Sequence, residues 1–221
     1  MMTKRNIAVL FLLPLGVAAI LFFYRFQDAP LVQNSAVNEK EPALTTPAPA
    51  ALIAEPLSDA TSRVTKKPFG IKITPSSSPV QPEKFTGYHT GVDFETFESE
   101  AESDVRVNAI CQGKLLAKKI VSGYGGVAVQ KCALEGEDVT VLYGHLKFAS
   151  IAPAVGDDLA AGQELGILGK GFSVETDGER KHLHLGFHKG SEINFRGYVA
   201  SQSELDAWLD VMKYLPPAGA D

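Results

Sequence analysis

Hydrophobic and polar positions divide the chain into an apolar N-terminal run, a stretch without a period, a long alternating region and a short helical end. Residues 7–24 contain no charged side chain. Their number is close to the ~20 residues that span a bilayer as a helix. Lys4 and Arg5 precede the run, which places the N-terminus in the cytoplasm. Residues 1–25 are therefore predicted to form a cytoplasmic stub and a transmembrane signal anchor.

A cleaved secretory signal is the alternative to an anchor. The residues after the apolar run lack the A-x-A pattern of a cleavage site. A lipoprotein would need a cysteine there, and the first cysteine is Cys111. With an anchor or with a cleaved signal, the remainder is exported. The anchor predicts a single-pass protein of the cell membrane, with its folded part on the extracytoplasmic side, periplasmic or outer.

Residues 26–82 are rich in Pro, Ala, Ser and Thr and show no sustained hydrophobic period. Such a segment buries too little apolar surface to offset the entropy of ordering, so it is predicted to be a disordered linker. Short apolar pieces such as "FGIKI", at residues 69–73, could dock on the domain as a strand. The boundary at residue 83 is therefore left open.

The alternating region, residues 83–200, predicts a mainly β fold. "DVRVNAICQGKLLAKKIV", "GVAVQKCAL", "DVTVLYGHL" and "HLHLGFH" are rich in β-branched residues and are separated by turn signals such as "SGYGG" and "ETDGER". In residues 201–221, Leu205, Trp208, Leu209 and Met212 recur at helical spacing after a possible cap at Ser203. The prediction is a compact antiparallel β-sheet or sandwich domain with a C-terminal helix, whose Trp208 packs onto the domain.

The net charge and the two cysteines limit the possible partners and the possible compartment of the protein. Residues 83–221 hold 13 Lys and Arg against 21 Asp and Glu, a net charge of −8. A domain this acidic lacks the basic surface of a nucleic-acid binder, so nucleic acid is excluded as a partner. Two predictions stay open for Cys111 and Cys132: they form a disulfide in an oxidising compartment, or they are two small buried side chains.

Four histidines and one carboxylate offer metal chemistry. His89 stands four residues before Asp93, His145 lies in "LYGHL", and His182 and His184 alternate with leucines in "HLHLGF". Residues two apart on a strand share a face, so His182 and His184 are expected to point the same way. Two imidazoles and one carboxylate, with a fourth position open to water, are a donor set that suits zinc.

In their order along the chain, "HTGVDF", "YGHL" and "HLHLGF" resemble the motifs of the LytM/lysostaphin-type zinc endopeptidases, peptidase family M23, over about residues 85–190. The resemblance implies a fold of the duplicated hybrid motif type, with residues 83–200 as the peptidase domain. It implies that His89, Asp93 and His184 bind one Zn²⁺ and that His145 and His182 are catalytic, without assigning the general base. His188 matches no functional position of the family.

The same resemblance implies an exported metalloendopeptidase that hydrolyses peptide bonds of bacterial cell-wall peptidoglycan through a zinc-activated water, and the predicted anchor would hold it at the membrane. Its partners would be peptidoglycan peptides and, through the N-terminal helix, the membrane. The alternative is a non-catalytic regulator or activator of another cell-wall hydrolase. A biotinyl- or lipoyl-type carrier domain is a poorer interpretation, because Lys170 in "GKGF" matches poorly and the histidines stay unexplained.

Overall fold

Antiparallel strand pairing organises the chain. The computed structural model describes residues 53–216, and in this range every strand pair is antiparallel. The strands are β1 Lys72–Ile73, β2 Gly87–His89, β3 Gly91–Glu95, β4 Arg106–Asn108, β5 Gly113–Val121, β6 Gly125–Leu134, β7 Glu137–Leu146, β8 Asp158–Leu159, β9 Glu164–Ile167, β10 His182–Lys189, β11 Tyr198–Val199 and β12 Trp208–Leu209. One short helix, α1 Gln202–Leu205, and five 3-10 turns complete the described part. The prediction of a mainly β, antiparallel domain is confirmed.

One seven-stranded sheet carries most of the core. Its order is β12-β10-β7-β6-β5-β8, and β3 also pairs with β10. The central strands are buried along most of their length, and side chains such as Phe94, Leu115, Tyr143, Leu185 and Phe187 are fully inaccessible to solvent. A three-stranded sheet, β1-β2-β11, and a two-stranded sheet, β4-β9, make up the remaining pairings.

Strand register brings distant residues side by side. β10 lies between β3 and β7, and His184 is opposite Asp93 on one side and Gly144 on the other. Directly opposed residues in an antiparallel pair have Cβ atoms about 4.5–5.5 Å apart. His145 follows Gly144, and His182 is two residues before His184, so the sheet itself assembles four of the five predicted site residues.

The linker predicted for residues 26–82 is corrected over its described part, residues 53–82. Ile53, Leu57, Ala60 and Ile73 are buried in the domain, and β1 pairs with β2. The docking of "FGIKI" as a strand, which the sequence left open, is therefore what the structure has. The buried apolar side chains of this segment stand singly along the chain, so its sequence shows no hydrophobic period.

The predicted C-terminal helix is also corrected. Only α1 is helical, with Ser201 rather than Ser203 as its N-cap and Glu204 completing a capping box. The chain then forms β12, which pairs with the end of β10, and a 3-10 turn at Val211–Lys213. Trp208 is 4% exposed and packs on the domain, as predicted.

Cys111 and Cys132 form a disulfide, with their Cα atoms 6.0 Å apart. Both residues are also buried in the core, so the structure combines the two possibilities that the sequence left open.

The predicted anchor, residues 1–25, lies outside the described residues. Among residues 53–216, no helix has the length and apolar character needed to cross a bilayer.

Candidate metal centre

Three buried side chains direct one donor atom each toward a common point. His89 Nε2 lies 3.0 Å from His184 Nδ1 and 3.2 Å from Asp93 Oδ1. His184 Nδ1 lies 3.1 Å from the same Asp93 oxygen. At most 3% of any of these side chains is exposed. The three atoms thus form a nearly equilateral triangle, here called the donor triangle.

The donor triangle fits zinc. Tetrahedral bonds of about 2.0–2.1 Å to nitrogen and oxygen place neighbouring ligand atoms about 3.3–3.4 Å apart, close to the observed 3.0–3.2 Å. His89 Nδ1 donates to the carbonyl of Pro68 at 3.2 Å, so its Nε2 presents a lone pair to the triangle. Two imidazole nitrogens and a carboxylate oxygen at these separations are a donor set that suits zinc.

The segment before the family motif supports the triangle. Besides the Pro68 carbonyl, which orients the His89 ring, the Lys67 carbonyl accepts the backbone N–H of Asp93 at 3.0 Å. Such outer contacts orient metal ligands and set their tautomer. Gly91 allows the close approach of β3 to β10, because a Cβ there would lie 2.5 Å from the Leu185 carbonyl and 2.8 Å from the His184 ring.

The second oxygen of Asp93 binds a buried arginine. Arg180 Nη2 donates to Asp93 Oδ2 at 2.8 Å, and its Nε donates to Glu95 at 3.0 Å. Burial alone would raise the pKa of Asp93, but the neighbouring His182 and His89 hold it well below its usual range. The carboxylate is therefore ionised, with one oxygen held by Arg180 and the other directed into the donor triangle.

A second histidine pair lies beside the triangle. The His145 and His182 ring centroids are 4.2 Å apart. His182 Nδ1 donates to the Arg180 carbonyl at 2.9 Å, and its Nε2 is 3.4 Å from Asp93 Oδ2. His145 has a left-handed backbone, with φ of 62°, and its buried Nδ1 has no hydrogen-bond partner among residues 53–216.

Burial keeps His145 and His184 neutral. Desolvation, reinforced by the nearby His182, moves the pKa of His145 well below its usual value. Desolvation also lowers the pKa of His184 to about 4, against the opposing hydrogen bond to Asp93. Each of the two imidazoles therefore has an unprotonated nitrogen at neutral pH, which could bind a metal or accept a proton.

The centre opens into a cleft of about 330 Å³. Tyr124 lies at its base, with its ring centroid 5.2 Å from those of both His145 and His184. Gly144 makes room for it, since a Cβ there would lie 2.5 Å from the Tyr124 ring. Asp177 accepts hydrogen bonds from Gly123 and Ser122 and so ties the loop bearing Tyr124 to the loop before β10.

The structure brings together all five residues predicted for the site: His89, Asp93, His145, His182 and His184. His188 lies elsewhere and packs edge-on against Trp208, with ring centroids 4.8 Å apart. Sequence reasoning missed Arg180, Tyr124 and the Pro68 carbonyl. Arg180 stands two residues before the H-x-H motif, but nothing in the sequence distinguishes it from a surface arginine.

The fold and the site define an antiparallel β domain with a buried His–Asp–His cluster that could hold a metal ion. The sequence model of Peptidase family M23 matches residues 87–195, which include every residue of the donor triangle and both other histidines. The domain formed by these residues belongs to peptidase family M23.

Solved structures of similar proteins were also found. Lysostaphin is 24% identical, with 75% of this chain and 58% of that one covered and a TM-score of 0.45. LytU is 23% identical, with coverages of 69% and 90% and a TM-score of 0.42. Helicobacter pylori Csd3 is 19% identical, with a TM-score of 0.45; the match covers 76% of this chain but only 35% of Csd3. These similarities are too distant to assign an activity, and no curated protein matches the chain.

Proposed function

We propose that the protein is a zinc metalloendopeptidase that hydrolyses peptide bonds in bacterial cell-wall peptidoglycan. The observation that carries the proposal is the donor triangle, with two histidines beside it that the triangle does not use. Zinc held by His89, Asp93 and His184 would act as a Lewis acid that activates water and polarises the scissile carbonyl.

The chain's own residues supply the remaining steps. One of His145 and His182 removes the proton from the attacking water, and the other stabilises the oxyanion or protonates the leaving amine. The unpartnered Nδ1 of His145 is available for either role. Arg180 donates to Asp93 Oδ2 and so leaves Oδ1 facing the donor triangle.

The place of action is part of the proposal. The uncharged residues 7–24 would anchor the protein in the cell membrane, with the domain on the extracytoplasmic side. The Cys111–Cys132 disulfide supports this location, because disulfides persist in oxidising compartments outside the cytosol.

The test uses the full chain in detergent, because residues 53–82 belong to the folded part. The zinc-loaded protein is incubated with defined muropeptides, with and without a chelator, and the products are identified by mass. We expect cleavage that the chelator abolishes and that Asp93→Ala lacks. Intact muropeptides under every metal condition, together with stimulation of another cell-wall hydrolase, would replace this proposal with the regulatory role.

A further inference from the structure

The cleft contains a hydrogen-bonded cluster that lies outside the segment matched by the family model. Lys67 and Glu83 precede that segment and Tyr198 follows it, yet Lys67 and Tyr198 line the same cleft as Asp93 and His184. The three residues are here called the flanking cluster. Tyr198 lies in β11, which pairs with β2 and places it opposite His89.

Lys67 is held by two partners. Its side chain is 3% exposed, and its ammonium donates to the Glu83 carboxylate at 2.5 Å and to the Tyr198 hydroxyl oxygen at 3.0 Å. The remaining acceptor positions of Glu83 are also occupied, by the Ser78 hydroxyl and by the backbone N–H groups of Lys84 and Phe85. The ammonium is therefore paired in charge and fixed in position.

Tyr198 accepts a hydrogen bond from Lys67 and makes no other hydrogen bond within residues 53–216. Its hydroxyl proton therefore has no acceptor in the described protein, while the side chain faces the cleft. Stacking on Phe85, with centroids 5.3 Å apart, and contact with His89, at 5.1 Å, fix the ring beside the donor triangle. Burial, with the charges of Asp93 and Glu83, raises the pKa of Tyr198, so the hydroxyl keeps its proton.

We propose that Tyr198 donates a hydrogen bond to the substrate carbonyl oxygen as it becomes an oxyanion, and that Lys67 is the positioning residue that orients and polarises this hydroxyl. The inference rests on the proposed function, since it needs a peptide carbonyl at the metal. A hydrogen bond from an ammonium to the phenol oxygen strengthens the phenol as a donor. A donor aimed at developing negative charge accelerates the reaction without tightening substrate binding.

Tyr198→Phe removes only the hydroxyl and is the main variant. Loss of one oxyanion donor lowers kcat by about 10²–10³-fold, so we expect a fall of at least about tenfold with an unchanged KM and an unchanged zinc content. Tyr214→Phe is the matched control, because Tyr214 packs against Phe187 away from the cleft. An unaltered kcat for Tyr198→Phe would overturn the inference.

Lys67 is tested by coupling. Lys67→Met together with Glu83→Gln removes both charges and so avoids a buried carboxylate without its partner. If Lys67 acts through Tyr198, adding this pair of substitutions to Tyr198→Phe lowers kcat no further. If the triple variant unfolds at an unchanged temperature and its fall in kcat equals the product of the two separate falls, Lys67 does not act through the tyrosine.

A binding measurement separates this inference from the proposed function. A phosphinate pseudo-dipeptide of alanine carries a tetrahedral anionic centre and is not hydrolysed, so calorimetric titration of the zinc-loaded protein needs no turnover. We expect Tyr198→Phe to weaken its binding at least tenfold and Tyr214→Phe to leave it unchanged. If the phosphinate binds as expected but muropeptides are not cleaved, only the peptidoglycan substrate is refuted. If the two variants bind the phosphinate equally, or if the natural protein does not bind it, the role of the tyrosine is refuted.

Discussion

The donor triangle and the His145–His182 pair are adjacent, and each holds one buried nitrogen without a hydrogen-bond partner among residues 53–216, His184 Nε2 in the triangle and His145 Nδ1 in the pair. They differ in their backbone and in the outer contacts that hold the other side chains. Around the triangle, His89 donates to Pro68 and Asp93 binds Arg180. In the pair, His145 lacks a partner for Nδ1 within the described residues and has a left-handed backbone. Unsatisfied atoms and unfavourable backbone angles cost free energy, and they tend to persist at functional sites.

The difference separates two tasks within one site. A metal ligand must be held in one orientation, which outer hydrogen bonds accomplish. A residue that exchanges a proton with substrate must keep a nitrogen available until substrate arrives. Substitutions in the two regions should therefore have different signatures in metal content and in rate.

The largest effect is expected in the donor triangle. His184→Ala removes one of three protein ligands and leaves Asp93 without the ring that it faces across the strand pair. We expect zinc in the purified protein, measured by mass spectrometry of the metal, to fall from one per chain to near zero. Peptidase activity should fall below detection. Full metal occupancy in this variant would place the zinc elsewhere.

The His145–His182 pair should respond in rate alone. General acid–base groups typically contribute about 10²–10⁴-fold, so His145→Gln and His182→Gln should each lower kcat within that range. Both variants should keep one zinc per chain, because neither ring belongs to the donor triangle. His188→Gln is the control and should match the unaltered protein in rate and metal content. Loss of zinc from His145→Gln would erase the distinction between the two regions.

Acidification should weaken the metal-free fold. His184, with a pKa near 4 in the folded protein, and His145 bind a proton more readily when unfolded, where a histidine pKa is about 6.5. The unfolded state therefore takes up more protons between about pH 6.5 and 4, and the free energy of unfolding falls as pH falls. His184 alone would contribute on the order of 3 kcal/mol.

Urea unfolding of chelator-treated protein at several pH values measures this loss. Protonation of carboxylates also lowers the free energy of unfolding as the pH falls. The natural protein is therefore compared with His184→Gln, whose free energy of unfolding should decline less between pH 6.5 and 4. Equal slopes for the two proteins would show that His184 is not held neutral by burial.

Strand alternation in the sequence was sufficient to predict the antiparallel β class and a shared face for His182 and His184. The resemblance to family M23 pointed to the five residues that the structure brings together, and their roles stay predictions. The sequence could not reveal Arg180, whose role depends on β10 lying beside β3. Nor could it reveal the Pro68 carbonyl, since backbone groups leave no residue signature. Such contacts are set by tertiary packing rather than by local pattern.

The two ends of the domain were predicted wrongly for different reasons. Residues 53–82 lack a period because Ile53, Leu57 and Ile73 are buried singly, in turns and one short strand. At the other end, the spacing of Leu205, Trp208 and Leu209 suits a helix, but pairing of β12 with β10 overrides that local preference.

X-ray absorption spectroscopy of the zinc-loaded full chain tests the central claim most directly. We expect one zinc per chain with only nitrogen and oxygen neighbours at about 2.0–2.1 Å, including two imidazole scattering patterns, and we expect His89→Gln to lose the bound zinc. A spectrum with sulfur neighbours, or one unchanged by His89→Gln, would contradict a zinc site built from His89, Asp93 and His184.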